Sequence, residues 1–432
     1  MDSKRTHTFI VVAALAAVVS GAAAQEAPKA PVSRAEYEKL RREVDDLKAQ
    51  LATLPTIQPD QGVQPTRDAL WETRLRLDAL ESFNADRETS DTGFHLSGFA
   101  STGYTDSEDE NSTFSAGISP VFLWQLNDRL LFEAEFEFGL ESVDGEGETE
   151  VELEYANGSY LLNDYITVGA GKFLTPFGLF GERLHPTWIN KLPNMPFPYM
   201  HHGGIAPMTS LGAFVRGGIP LGEAKGNYSL YISNGPSLET EGHHPGTLSF
   251  ENFDDANDNK ALGGRIGFLP ISSLELGYSF QFADVDASTF DQDVDSFIQG
   301  FDVSYVREYD AIRGVIDIRF EWVFSDVDDA VFFDEDDGEF FTFDNTRNGG
   351  YAQFAYRPTQ VDIDFVKNLE IVGRYDWLDV GSGVPDDDKE RWAIGLNYWL
   401  TNSSVIKLSY QQTDVDNQDE TGAFLAQFAI GF

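Results

Sequence analysis

The sequence predicts an all-β transmembrane fold: a 16-stranded antiparallel outer-membrane β-barrel preceded by a periplasmic helical, coiled-coil segment. Three observations carry this. From Gly93 onward, apolar and polar residues alternate with period two. The alternation divides into sixteen segments, an even number, most of them about ten residues or longer, which suits a tilted strand crossing a bilayer. The links mostly alternate between tight turns and longer polar loops, as in barrels with short periplasmic turns.

Residues 1–24 are read as a secretory signal peptide: Lys4 and Arg5 lead an apolar run from Phe9 to Val19, and Ala22-Ala23-Ala24 precede Gln25. That run is far shorter than the roughly 20 residues of a spanning helix. Residues 25–54 contain the predicted coiled-coil helix. Ser33 and Glu36 form a capping box, and Tyr37, Leu40, Val44, Leu47, Leu51 and Leu54 step by three and four until Pro55. So short a seam needs a partner helix or an already oligomeric body. Residues 55–92 form a linker with Pro55, Pro59 and Pro65 and a short helical stretch around Leu70, Leu77 and Leu80.

The barrel domain is 93–432. Strands are expected near 93–105, 113–126, 129–140, 149–162, 165–173, 208–220, 227–233, 260–270, 274–284, 297–306, 312–325, 347–357, 369–380, 390–401, 404–415 and 422–432. In the third, Leu130, Phe132, Ala134, Phe136 and Phe138 take one face, and Glu133, Glu135 and Glu137 the other. Trp124, Tyr398 and Trp399 lie just before tight turns, where an interfacial aromatic girdle is expected. The chain ends "FLAQFAIGF", an apolar strand closing on an aromatic residue.

A barrel of this size leaves an aqueous channel unless something fills it. The expected lumen charges are Glu133, Glu135, Glu137, Glu150, Glu152, Glu154, Arg265, Arg313, Arg319, Arg374 and Lys407. The chain carries 72 Asp and Glu against 30 Lys and Arg, net charge -42, and no cysteine. Thiolate chemistry is thereby excluded, and no motif pairs a nucleophile with a base, so no enzyme is expected. The acidity is read as a solvated, self-repelling surface, with no nucleic-acid partner. No cofactor is expected; the acidic outer stretches 251–260 and 384–390 offer oxygen ligands for calcium or magnesium, without the spacing of an EF-hand. The histidine pairs His201-His202 and His243-His244 are read as loop residues, since adjacent side chains diverge in extended chain.

One stretch departs from the acidity. Between Tyr165 and Gly222 the only acid is Glu182, against Lys172, Arg183, Lys191, Arg216 and the histidines His185, His201 and His202. These seven basic residues are the candidates for a pore constriction. "VGAGKFLTPFGLFGE" (168–182) and "YSLYISNGPS" (228–237) resemble segments of the phosphate-selective porin family, porins O and P. The resemblance implies a homotrimer of sixteen-stranded channels passing small anions, with 174–207 as the inward third loop and Lys172 matching the motif's basic residue. The Glu block departs from a family that favours anions. Two readings of it stay open: it lines a cation-friendly wall, or it lies under the inward loop and binds Arg183 and Lys191.

The expected function is therefore an outer-membrane passive diffusion channel for small hydrophilic solutes, anion-selective if 174–207 forms the narrowest ring. The alternatives are a nonspecific or cation-preferring porin, and an outer-membrane protein tethered to peptidoglycan through 33–54.

Overall fold

The computed structural model describes residues 92–109, 111–143, 146–200, 203–240, 245–250, 259–287, 292–334, 339–381 and 387–432. The signal peptide, the 33–54 helix, the linker to residue 91, both histidine pairs, most of the acidic stretch 251–260 and residues 384–386 of the stretch 384–390 lie outside these residues.

Sixteen barrel strands follow in order: β1 (Gly93–Ser107), β2 (Thr113–Gln125), β3 (Leu130–Val143), β4 (Glu146–Asn163), β5 (Ile166–Leu174), β6 (Thr209–Leu221), β7 (Ala224–Asn234) and β8 (Lys260–Ile271). Then come β9 (Leu274–Ala287), β10 (Gln292–Tyr309), β11 (Gly314–Val327), β12 (Asn345–Arg357), β13 (Leu369–Asp379), β14 (Lys389–Thr401), β15 (Ser404–Val415) and β16 (Thr421–Gly431). Each pairs antiparallel with the next, and β16 returns to β1 with Phe99 opposite Gly431 and Ser107 opposite Ala423. Closure leaves no strand edge, the condition for placing backbone in lipid. The terminal Phe432 completes the seam, exchanging backbone hydrogen bonds with Gly98 at 2.9 and 3.0 Å.

The alternation sorts side chains as the pattern dictates. Phe138, Leu140, Leu276, Phe282, Trp392, Ile394 and Leu396 are exposed on the outer face. Inward neighbours such as Arg265, Asp302, Glu321, Asp376 and Lys407 are buried. Such an apolar exterior with a charged interior inverts a soluble protein and suits a barrel surrounded by lipid. Trp124 stands exposed at a turn as expected, and Tyr398 packs on Phe365 at 5.3 Å. Trp399 does not join that girdle. Its indole points inward, donating to Glu370 at 3.2 Å, because the period-two register puts it on the lumen face with Asn397.

The link 358–368 carries a short helix, Asp364–Lys367. On the opposite rim, loop 235–259 contains a small ladder (Ser237–Leu238 with Leu248–Ser249), and loop 328–344 a hairpin (Phe332–Asp334 with Glu339–Phe341). Apolar side chains of both loops, Leu238, Leu248, Phe332 and Phe343, join Ile298 and Val323 of the wall and Phe177, Phe180 and Tyr199 of the loop after β5 in one buried cluster. The core of this barrel is inside the lumen.

Candidate functional site

The loop after β5 folds inward and lies across the lumen. Its neck is closed by Thr175, whose backbone donates to Met208 at 2.8 Å and whose hydroxyl meets that of Ser210 at 2.7 Å. Gly178 then turns the chain at φ 62, in a space where a β-carbon would sit 2.0 Å from the Tyr199 hydroxyl. A π-helical turn, Phe180–Leu184, follows, and prolines at 186, 193, 196 and 198 restrict the remaining backbone.

Wall side chains fix the loop by its backbone as much as by its side chains. Glu321 accepts Leu179 N–H at 2.8 Å and Tyr199 OH at 2.6 Å. Arg374 donates to the Asn194 carbonyl at 3.1 Å, Arg391 to the Met195 carbonyl at 2.6 Å, and Asn397 to the Lys191 carbonyl at 2.9 Å. Lys407 donates to the Thr187 carbonyl and to Gln427. Leu192 fits over Gly395, where a β-carbon would approach it to 2.7 Å. Charge-assisted bonds in a low-dielectric interior contribute roughly 1.5–3 kcal/mol each. A half-exposed pair such as Arg183–Glu275 contributes about 0.2–1 kcal/mol. The buried rivets, rather than the exposed ion pairs, therefore set where the loop lies.

The loop leaves open space beside β3 to β8. Two adjoining cavities of ≈ 340 and ≈ 210 Å³ share Pro176, Glu182, Arg183, Arg216 and Ser229 in their linings. Arg183, from the loop, donates to Glu275 at 2.9 Å; Arg216, from β6, stands 3.8 Å from Glu133 and over the Phe214 ring. Both arginine side chains remain 41% exposed, against 24% for Glu182 and 21% for Glu133. Arg265 borders the smaller cavity, held by Asp302 at 2.6 and 2.8 Å and by Glu275 at 3.0 Å. Glu275 thus bridges the loop to the wall, one oxygen to Arg183 and the other to Arg265 and Asn227.

The other predicted residues fall elsewhere. Lys172 is buried on β5 and paired with Glu152 at 3.1 Å. Lys191 lies on the far side of the loop, bonded to Glu370 at 2.6 Å and 3.5 Å from Asp317. His185 is packed in the loop against Phe99, its Nδ1 2.5 Å from the Gly181 carbonyl and its Nε2 buried without a partner among the described residues. Burial lowers its pKa to about 4. His201 and His202 lie outside the described residues.

The Glu block is not the loop's seat. Arg183 and Lys191 reach Glu275 and Glu370 instead, because the loop leans toward β9 to β16, away from β3 and β4. Within the block, Glu135 and Glu154 are buried, Glu152 is matched by Lys172, and Glu133 faces the larger cavity. Glu150 is exposed, and Glu137 has partners of its own. Arg319 pairs with Asp317 at 2.6 Å, and Arg374 with Asp376 at 3.0 Å, both on wall strands. Arg313 is a correction: it caps the turn before β11 at φ 54, is 55% exposed, and bonds the Gln360 carbonyl in the neighbouring link rather than facing the lumen.

Sequence reasoning missed Glu275, Glu370 and Tyr199. Each sits on an alternating strand or in an irregular loop, and only the loop's inward course gives them a role.

No family model matches the chain, and no curated protein matches it. Its fold is similar to solved outer-membrane porins. An anion-selective porin from Comamonas acidovorans aligns at TM-score 0.50 and 9% identity over 79% of this chain and 100% of that one. Salmonella typhi OmpF in complex with daunomycin aligns at 0.51 and 10%, over 79% and 98%. The outer membrane channel DcaP of Acinetobacter baumannii aligns at 0.51 and 12%, over 79% and 97%. The shared property is the closed antiparallel barrel of outer-membrane porins.

Proposed function

We propose that this protein is an outer-membrane diffusion channel for small hydrophilic solutes, favouring small anions, phosphate among them. The observation that carries the preference is the lining of the remaining gap. Two arginines from opposite sides, Arg183 of the loop and Arg216 of the wall, face one water-accessible space and are more exposed there than its carboxylates. In a narrow passage between low-dielectric walls, field lines focus, so local charge outweighs the protein's distant acidity. At physiological salt the screening length is about 8 Å, which further uncouples the gap from charges on remote loops.

The same reading gives the molecule a homotrimeric assembly in the outer membrane, with the 33–54 coil in the periplasm. Purified protein in a planar bilayer should form ion-conducting pores whose reversal potential under a KCl gradient has the anion sign. A cation sign would make Glu133 and Glu182 the governing groups and overturn the anion preference. An absence of pores would overturn the channel itself.

A further inference from the structure

A second cavity, of ≈ 250 Å³, lies on the other side of the inward loop, between it and the wall strands β11 to β14. It is half-enclosed, and its lining mixes apolar rings with polar groups. We propose that it binds a small neutral polyhydroxylated solute of monosaccharide size.

The charge pairing argues for a neutral ligand. Lys191 is bonded to Glu370 at 2.6 Å, and Arg319 to Asp317 at 2.6 Å, each with its side chain 17% exposed. Arg374 is spent on Asp376 and on the Asn194 carbonyl. An anion entering here has to break a tight ion pair to gain a partner, and a cation meets carboxylates already neutralised. This differs in degree from the gap beside Arg183 and Arg216, whose side chains are 41% exposed although Arg183 bonds Glu275 and Arg216 stands near Glu133.

The groups left over are neutral. Gln353, on β12, is 7% exposed, and its carboxamide has no hydrogen-bond partner among the described residues. Asn190, also 7% exposed, donates its amide to the Asn194 carbonyl at 2.9 Å and leaves its side-chain oxygen without a protein partner. Neither residue has a fully occluded unpartnered atom, so these free positions reach the space they line. Together they offer a donor and two acceptors to hydroxyl groups, and buried amides left unmatched are otherwise unfavourable. In the same lining, Leu184, Trp188 and Ile189 supply an apolar surface for the C–H face of a sugar ring. The volume lies below the range that holds drug-sized ligands, which limits the occupant to about one ring.

Saturation-transfer NMR of D-glucose with the full-length protein in detergent tests this without requiring conductance. The ring C–H protons of glucose should receive saturation from the protein. Gln353→Leu, which replaces the carboxamide by an apolar group, should weaken binding about tenfold. Glu133→Gln, in the other gap, should leave it unchanged and so control for the fold. No transfer with the native protein, or equal transfer with Gln353→Leu, overturns the proposal. Displacement of glucose by inorganic phosphate also overturns it, since the charged groups would then be the receptors. Failure here leaves the anion preference of the Arg183–Arg216 gap standing, and a nonconducting protein that binds glucose separates the two in the opposite sense.

Discussion

The carboxylate of Glu321, on β11, accepts the Tyr199 hydroxyl of the inward loop at 2.6 Å. Its other oxygen accepts Tyr351 OH at 2.5 Å, and Leu179 N–H adds a third bond at 2.8 Å. One wall residue therefore holds both the start and the far arm of the loop. Glu321→Ala leaves two phenols and an amide without an acceptor, at about 1–3 kcal/mol for each such group. The expected outcome is a released loop, read as trypsin cleavage after Lys191 in the variant and none there in the native protein. Tyr199→Phe, losing one bond, should give a smaller effect in the same direction. An uncut Glu321→Ala barrel would show that the loop is held elsewhere.

Wall glycines form the sockets for the loop. A β-carbon at 395 would meet Leu192 at 2.7 Å, whereas one at 373 meets nothing within 4 Å. Gly395→Val should lift the 190s segment and raise single-channel conductance, and Gly373→Ala should leave conductance as it is. Equal conductance in the two variants would contradict the packing described.

His185 makes the loop sensitive to acid. Its packed ring, with Nε2 buried, has its pKa lowered to about 4, against roughly 6.5 for a free imidazole. The released loop binds a proton more readily than the packed one. The stabilisation from the neutral packed ring is therefore full above about pH 6.5 and is lost as pH falls toward 4, up to about 3 kcal/mol. Current fluctuations should increase between pH 6.5 and 4, and His185→Phe should suppress that part of the increase. Identical pH profiles for the two proteins would remove His185 from the account.

Glu133 tempers Arg216 across 3.8 Å. Both groups are partly exposed, so the pair contributes no more than about 1 kcal/mol. Glu133→Gln should then raise the anion-to-cation permeability ratio by at most about fivefold, measured from reversal potentials. A fall in the ratio would mean that Glu133 does not act on the permeating ion.

The barrel was legible because period two is a local property: most of the sixteen strands state their own register, β5 with its glycines least clearly, and lipid enforces it. The inward course of 174–207 was implied by the resemblance of 168–182 and 228–237 to the phosphate-selective porins, and its missing acids marked the stretch. Its partners were not. Glu275, Glu321 and Glu370 look like any inward carboxylate until a loop about a hundred or more residues away in sequence reaches them. Arg313 misled because alternation was extended one residue past the strand into a turn, where φ is positive. Trp399 misled because position near a turn suggested lipid, while register put it inside.

The most direct test of the account is the reversal potential of the native channel beside that of Arg183→Glu/Arg216→Glu under one KCl gradient. The native protein should show an anion sign, reversed in the double variant, with pores still formed. A cation sign in the native channel, or a double variant with unchanged selectivity, would contradict it.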